Sequence, residues 1–375
     1  MTDGADALVA ARPARPSPAE RPPLQRIGAV RWMRENLFSS IGNTLLTLVV
    51  AAVILLALPR LFRWAVIDAV WWTSDPTVCR AAAGACWAVV VEKHRLMLFG
   101  LYPYDEHWRP LAATGIYTAA VAITCWPRAW HRMVLLPLWT FAVAAFLVLM
   151  LGGVFGLTPV ETRLWGGLSL TIIVFSSTVL IGLPAGVLLA LGRRSRLPVI
   201  RSVSVGLIEL IRGVPLVTVL FCAAVVFPLF LPPGWDIDKL ARVLIAMGIF
   251  AGCYFAEVIR GGLQAIPAGQ YEAAASLGLP YWLTTRKIIL PQALRIVIPG
   301  LMNQLISVFK NSTLVIIIGL FDILNATTTA IADPPWIAFY TEGYLFVAGI
   351  YFLGCWAMSR YSRFIELRLA RGRRY

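Results

Sequence analysis

Ionisable side chains sit inside stretches otherwise apolar enough to span a bilayer: Glu209 and Arg212, Glu257 and Arg260, and Lys310 beside Asn311. A charge placed in a membrane costs about 2.5–3.5 kcal/mol on insertion scales unless it is paired or wetted, so each is a functional candidate. Glu209 and Arg212 are three apart and share one helical face, as do Glu257 and Arg260. Two uses fit that spacing: a structural ion pair near the membrane interface, or the lining of a polar path. Lys310 and Asn311 fall between Val308 and Leu314, where they line a path or make a helix–helix or subunit contact. Asn303 and Gln304 are accounted for by interhelical hydrogen bonding. Covalent chemistry is not legible. His94, His107 and His131 are too dispersed for a metal site, no nucleophile–base pair stands out, and no G-x-x-x-x-G-K-[ST] phosphate loop occurs. These residues suit the passage of a solute rather than its conversion.

A second segment of interest runs from Phe255 to Pro291, too polar to span yet patterned. Gly261-Gly262 and Pro267-Ala268-Gly269 end an apolar run; Gln270 to Leu277 is good helix material, stopped by Gly278. A short helix with alanines on one face and a single acid, Glu272, is shaped to press into a groove on a partner, or is an amphipathic surface loop.

Lipid must be the solvent around the elements that position these groups. Of 375 residues 59% are apolar and 14% charged, with a mean hydropathy of +0.76, whereas a globular domain has roughly 45–50% and about 25%. A chain of this length cannot wrap that much apolar surface in a soluble core. Six cysteines in so long a chain exclude a disulfide scaffold. Apolar runs at about 41–59, 111–127, 133–156, 166–191, 205–231, 241–259, 296–319 and 341–358 predict some eight transmembrane helices, hence an all-α integral membrane protein. Strand alternation of the barrel kind is absent.

The net charge of +14 does not indicate nucleic acid, because the basic residues are scattered in short runs between spans. Arg12, Arg15, Arg21, Arg26, Arg31 and Arg34 precede the first span; Arg193, Arg194, Arg196 and Arg201 follow the fourth; Arg368, Arg371, Arg373 and Arg374 close the chain. Asp322, Asp333 and Glu342 lie on an alternate loop. Both termini are therefore expected in the cytoplasm. Residues 1–40 read as a disordered cytoplasmic tail without a cleavable signal, 41–160 as three accessory spans with a periplasmic loop at 73–110, and 366–375 as a basic cytoplasmic tail. Cys79 and Cys86 share that outer loop, where they pair if the compartment is oxidising or else stay free.

Glu272-Ala273-Ala274, three residues, Gly278, nine residues and Ile288-x-Leu290-Pro291 resemble the full EAA motif of ABC importer permeases. Ile211 to Leu216, Ala256 to Gly262 and Phe309 to Leu314 resemble the polar-amino-acid branch, which includes histidine and glutamine permeases. The outer loop with Tyr102-Pro103 and Glu106-x-Trp108-Arg109, and the ending Met358 to Arg363, look like the larger membrane subunit of a general L-amino-acid importer. The resemblance implies a type I permease core at 165–365, preceded by three extra helices, in a bacterial inner membrane. It implies that Gly269, Glu272, Ala273, Ala274 and Gly278 dock on a separate ATPase, present as two copies and carrying the ATP–Mg; this chain holds no cofactor itself. A second related permease and a periplasmic amino-acid-binding protein complete the implied assembly. An amino acid carries both charge signs, so Glu209, Arg212, Glu257, Lys310 and Asn311 are its candidate path. The rival reading is a secondary transporter driven by an ion gradient.

Overall fold

The computed structural model describes residues 28–371. The arginines at 12, 15, 21 and 26, and those at 373 and 374, lie outside the described residues. The remainder forms two units, divided after Ile67.

The first unit holds α1 (Ala29–Asn36) and α2 (Ile41–Phe62). A helix thus stands where a disordered tail was expected, and the i,i+4 pair Arg31–Glu35 at 2.7 Å supports it. Ser40 starts α2 by accepting a hydrogen bond from the Asn43 amide. The helix runs on through a π turn, Arg63–Ile67, so Arg60 and Arg63 belong to its end.

The second unit contains, in order, α3 (Pro76–Ala81), α4 (Ala88–Phe99), α5 (Trp108–Cys125), α6 (Arg132–Leu151), α7 (Gly167–Arg193), α8 (Pro198–Arg212), α9 (Leu216–Phe221), α10 (Lys239–Gln264), α11 (Ala268–Ser276), α12 (Tyr281–Thr284), α13 (Leu290–Asn311), α14 (Ile323–Ile331) and α15 (Tyr340–Arg371). Among the described residues, six helices are long and apolar enough to cross a membrane, or seven if α8 and α9 form one span. Two of the eight expected spans therefore need correction. α5 has the length, but Trp108-Arg109-Pro110 at its start dilutes its apolarity. The expected span 205–231 is broken: α8 meets the segment Leu216–Phe230 at 105°. Pro215 causes the break, since it offers no amide hydrogen and disfavours helical backbone at Val214.

α7 and α10 form the centre of the second unit. Gly182 and Gly186 of α7 face Gly248 and Gly252 of α10, a small-residue arrangement that lets two helix backbones approach. A Cβ at Gly186 would lie 2.7 Å from the Cβ of Phe255, and one at Gly248 would lie 2.5 Å from Ile181. The α5–α6 hairpin packs against the residues leading into α7 through edge-on aromatic contacts. Tyr117 stands edge-on to Trp139 and Phe146, and Phe146 edge-on to Trp165.

The expected outer loop 73–110 is mostly helical. Cys79 and Cys86 are joined as a disulfide, with Cα atoms 5.5 Å apart, and both are buried against Ala330, Ile331, Trp336 and Phe339. The Cys86 amide donates to the buried Glu342 carboxylate (2.9 Å), and Lys93 pairs with Asp333 (2.6 Å). The 79–93 segment is thereby fastened to the start of α15 and to the connection before it.

Arg109 ties the same segment to α6. It is fully buried and donates to the carbonyls of Leu149 (2.7 Å) and Thr158 (2.9 Å), while Glu106 balances its charge. Beside it, His107 Nε2 lies 2.9 Å from the Tyr102 carbonyl, so that nitrogen carries the proton and the buried Nδ1 has no partner. Burial holds the His107 pKa below its ordinary value. Protonation would add a charge to a buried ring, where the cost of desolvation outweighs the attraction of Asp105. The stabilising contribution is therefore present above about pH 6.5 and lost as pH falls below it. Amide hydrogen exchange over 102–109, corrected for intrinsic pH dependence, should accelerate at pH 5.5 relative to pH 7.5. His107→Gln should remove most of that difference; an unchanged difference would show that another group senses the acid.

Candidate functional site

Three features of the second unit follow one another along α10 and past its end: a cavity between helices, an ion cluster, and a helical hairpin that begins with α11. The cavity, about 310 Å³, is lined by Thr178 of α7, Leu216 of α9, Met247, Phe250, Ala251 and Tyr254 of α10, and Gln304, Ser307, Val308 and Asn311 of α13. At 1.5 Å per residue, Met247 to Tyr254 lie roughly 12–23 Å along a helix about 39 Å long, which is mid-span. Every lining residue is uncharged. Gln304, Ser307 and Asn311 recur at spacings of three and four, so they form one polar stripe on α13.

Tyr254 separates the cavity from the ion cluster. The Arg212 guanidinium sits over its ring, 5.5 Å from the centroid. Glu257 is the hub: Arg193 (2.7 Å), Arg260 (2.9 Å) and Arg212 (3.5 Å) all converge on its carboxylate. Arg193 also reaches Glu209 (3.0 Å). Three arginines against two glutamates leave the cluster at +1 and join the ends of α7, α8 and α10. The i,i+3 reading holds for Glu257 with Arg260 and fails for Glu209 with Arg212. Arg212 turns to Glu257, and Glu209 to Arg193, because the packing of α8 against α7 and α10 brings better partners than its own helix offers. Lys310 is not on the cavity: it is exposed and forms no ion pair among the described residues, while Asn311, one position on, faces inward.

Beyond the cluster, α11 carries the E-A-A sequence. Gly278 has φ +70° and closes α11 with paired bonds, Gly278 N to Ala275 O (2.9 Å) and Leu279 N to Ala274 O (3.1 Å). A Cβ there would meet nothing within 4 Å, so the constraint on this glycine is its backbone, not crowding. Gly269, Glu272, Ala273 and Gly278 are exposed, and Ala274 alone of the five is buried, packing the helix onto its own chain. Leu277, Tyr281 and Trp282 are exposed around the same turn, an apolar patch that water alone does not favour. The hairpin is fixed from behind. Arg194 donates to the Leu263 carbonyl (2.9 Å) and to the Tyr271 hydroxyl (3.1 Å), and Gln292 donates to Gln270 (3.1 Å). Adjacent arginines at the end of α7 therefore take different partners, Arg193 the ion cluster and Arg194, the residue that caps the helix, α11.

Residues 182–371 match the family model for the binding-protein-dependent transport system inner membrane component. The inner membrane amino-acid ABC transporter permease protein YhdY of Escherichia coli (strain K12) is 48% identical over 346 residues, covering 92% of this chain and 94% of that protein. The chain belongs to the amino-acid ABC transporter permeases. The glutamate/glutamine/aspartate/asparagine transport system permease protein BztC of Rhodobacter capsulatus is 38% identical and is covered over 97% of its length, against 95% of this chain. A crystal structure of an amino acid ABC transporter with histidines superposes with a TM-score of 0.48 at 33% identity, over 54% of this chain and 92% of that one.

This permease is thus a multi-pass inner-membrane protein, and both relatives match it over nearly its full length. The lining residues that sequence reasoning missed are Thr178, Tyr254 and Ser307, while Gln304, read there as a helix–helix hydrogen-bonding group, lies on the cavity. The stripe on α13 was readable from its period. Tyr254 was not, since an aromatic in an apolar run carries no sign of the space beside it.

Proposed function

We propose that this permease passes amino acids through the cavity between α7, α9, α10 and α13 under the drive of a separate ATPase docked on α11. The uncharged polar wall of the cavity carries the proposal. Asn and Gln side chains each offer a donor and an acceptor, so they can meet both the carboxylate and the ammonium of any amino acid. With no fixed charge, the wall discriminates little between acidic, basic and neutral side chains, which supports a broad substrate range. Asn311 lies directly on this path; Arg212, Glu257 and Glu209 form its closure on the side of α11, and Lys310 serves a contact with another subunit.

Gly269, Glu272, Ala273 and Gly278 present the hairpin to the ATPase, which holds the ATP–Mg, while the buried Ala274 seats the helix on this chain. A pair of ATPase subunits, a second related permease and a periplasmic amino-acid-binding protein complete the importer. The α11 hairpin then faces the cytoplasm with both termini, and the disulfide Cys79–Cys86 faces the periplasm. Residues 41–160 are an accessory region and 165–365 the transporting core.

Reconstitution of the whole complex in vesicles tests this. Amino-acid uptake should require ATP inside and loaded binding protein outside. Gln304→Leu with Asn311→Leu should reduce uptake roughly tenfold, by removing two hydrogen-bonding groups from the wall, while basal ATP hydrolysis persists. Uptake driven by an ion gradient without the ATPase would establish the secondary-transporter reading instead.

A further inference from the structure

A second, larger cavity of about 470 Å³ lies between α10 and the segment Leu216–Phe230. Its walls are apolar, among them Val219, Val226, Phe227, Phe230, Ile245 and Ile249, and Arg242 is the single charged residue lining it. Arg242 Nη1 donates to the Ala224 carbonyl (3.0 Å). That carbonyl belongs to the π turn Cys222–Val226, just ahead of Pro228, which has no amide hydrogen to offer. The same Nη1 of the guanidinium also reaches the Ala223 carbonyl (3.4 Å). Its Nε is buried without a partner, and Arg242 forms no ion pair among the described residues. A cation facing an apolar groove needs an anion that brings apolar mass with it.

Depth narrows the choice. α10 has 26 residues and is about 39 Å long, against a hydrocarbon core of about 30 Å, so each end projects about 4–5 Å. Arg242 stands three residues inside the end opposite the α11 hairpin, at the boundary between headgroups and hydrocarbon. Ile245 and Ile249 follow on the same face, one and two turns deeper. Leu229 and Phe230 are each 80% exposed and Trp235 70%, an apolar and aromatic rim of the kind found at membrane interfaces.

We propose that this groove is a phospholipid site, with the lipid phosphodiester on Arg242 and one acyl chain lying between α9 and α10. The lipid supplies the counter-charge at the depth where phosphates lie and fills a groove the chain leaves open. The site stands on the membrane setting alone and is independent of which solute is carried.

The complex, incubated with phosphatidylethanolamine–phosphatidylglycerol vesicles and re-extracted in detergent, should retain phospholipid detectable by native mass spectrometry. Arg242→Gln can still donate to the Ala224 carbonyl but carries no charge, and should lower retention roughly tenfold. Ile249→Trp fills the groove and should do the same, whereas Arg242→Lys should retain most of the lipid. Equal retention in wild type, Arg242→Gln and Ile249→Trp overturns the proposal. So does a complex that keeps its lipid but loses the second permease on Ile249→Trp, which would make the groove a subunit contact.

Discussion

Gly278→Trp should leave this permease in the membrane at normal levels and abolish uptake. The substitution acts twice. A non-glycine residue at φ +70° costs roughly 1–2 kcal/mol, which loosens the turn that ends α11. The indole then projects into open space beside Leu277, Tyr281 and Trp282, where an ATPase would seat. Gly278→Ala separates the two effects, since it carries the backbone cost without the bulk. It should lower transport modestly, while the tryptophan variant loses it. Glu272→Lys should act in the same direction through charge, because Glu272 is exposed on the same helix. The measurements are ATP hydrolysis with and without loaded binding protein, and co-purification of the ATPase. Full uptake by Gly278→Trp would remove the α11 hairpin from coupling.

Glu257→Gln should have the second-largest effect. Its carboxylate receives three arginines, so neutralising it raises the cluster from +1 to +2 and leaves Arg212 and Arg260 without a carboxylate. Breaking a buried ion pair costs about 3–5 kcal/mol; the Glu257 side chain is 17% exposed and its partners 25–35%, so screening brings the expected loss to about 2 kcal/mol. The melting temperature of the complex should fall and uptake should drop by more than the loss of protein explains. Arg193→Gln in the same chain should recover part of the melting temperature, since it restores the net charge. Arg212→Gln should recover melting temperature but not uptake, because Arg212 also covers Tyr254 at the cavity floor. A Glu257→Gln variant that melts and transports like wild type would make the cluster a bystander.

Much of this was legible in sequence because it rests on local rules. Spans of apolar residues must be helical in lipid, where each backbone amide needs an internal partner. The helix at Ala268–Ser276 and its stop at Gly278 follow from propensity and from the backbone freedom of glycine. The E-A-A spacing then pointed to the family, which the near-full-length relatives establish. Misreadings cluster where one helix's environment depends on another. Glu209 and Arg212 share a face, yet each finds a nearer partner across the helix packing. Lys310 and Asn311 are adjacent, and a rotation of about 100° between neighbours places one inward and the other outward.

The amino-acid sequence by itself determined a helical membrane protein, the positions of most spans, the ordered hairpin at 268–291 and the family. Only the tertiary structure decided that α8 and α9 diverge by 105°, that Tyr254 floors a neutral cavity, and that Glu257 gathers arginines from three helices. Helix formation is governed by contacts within four residues along the chain, which a sequence displays. A cavity and an ion cluster are set by which faces meet, and here that depends on glycines of α7 and α10 letting two backbones close together.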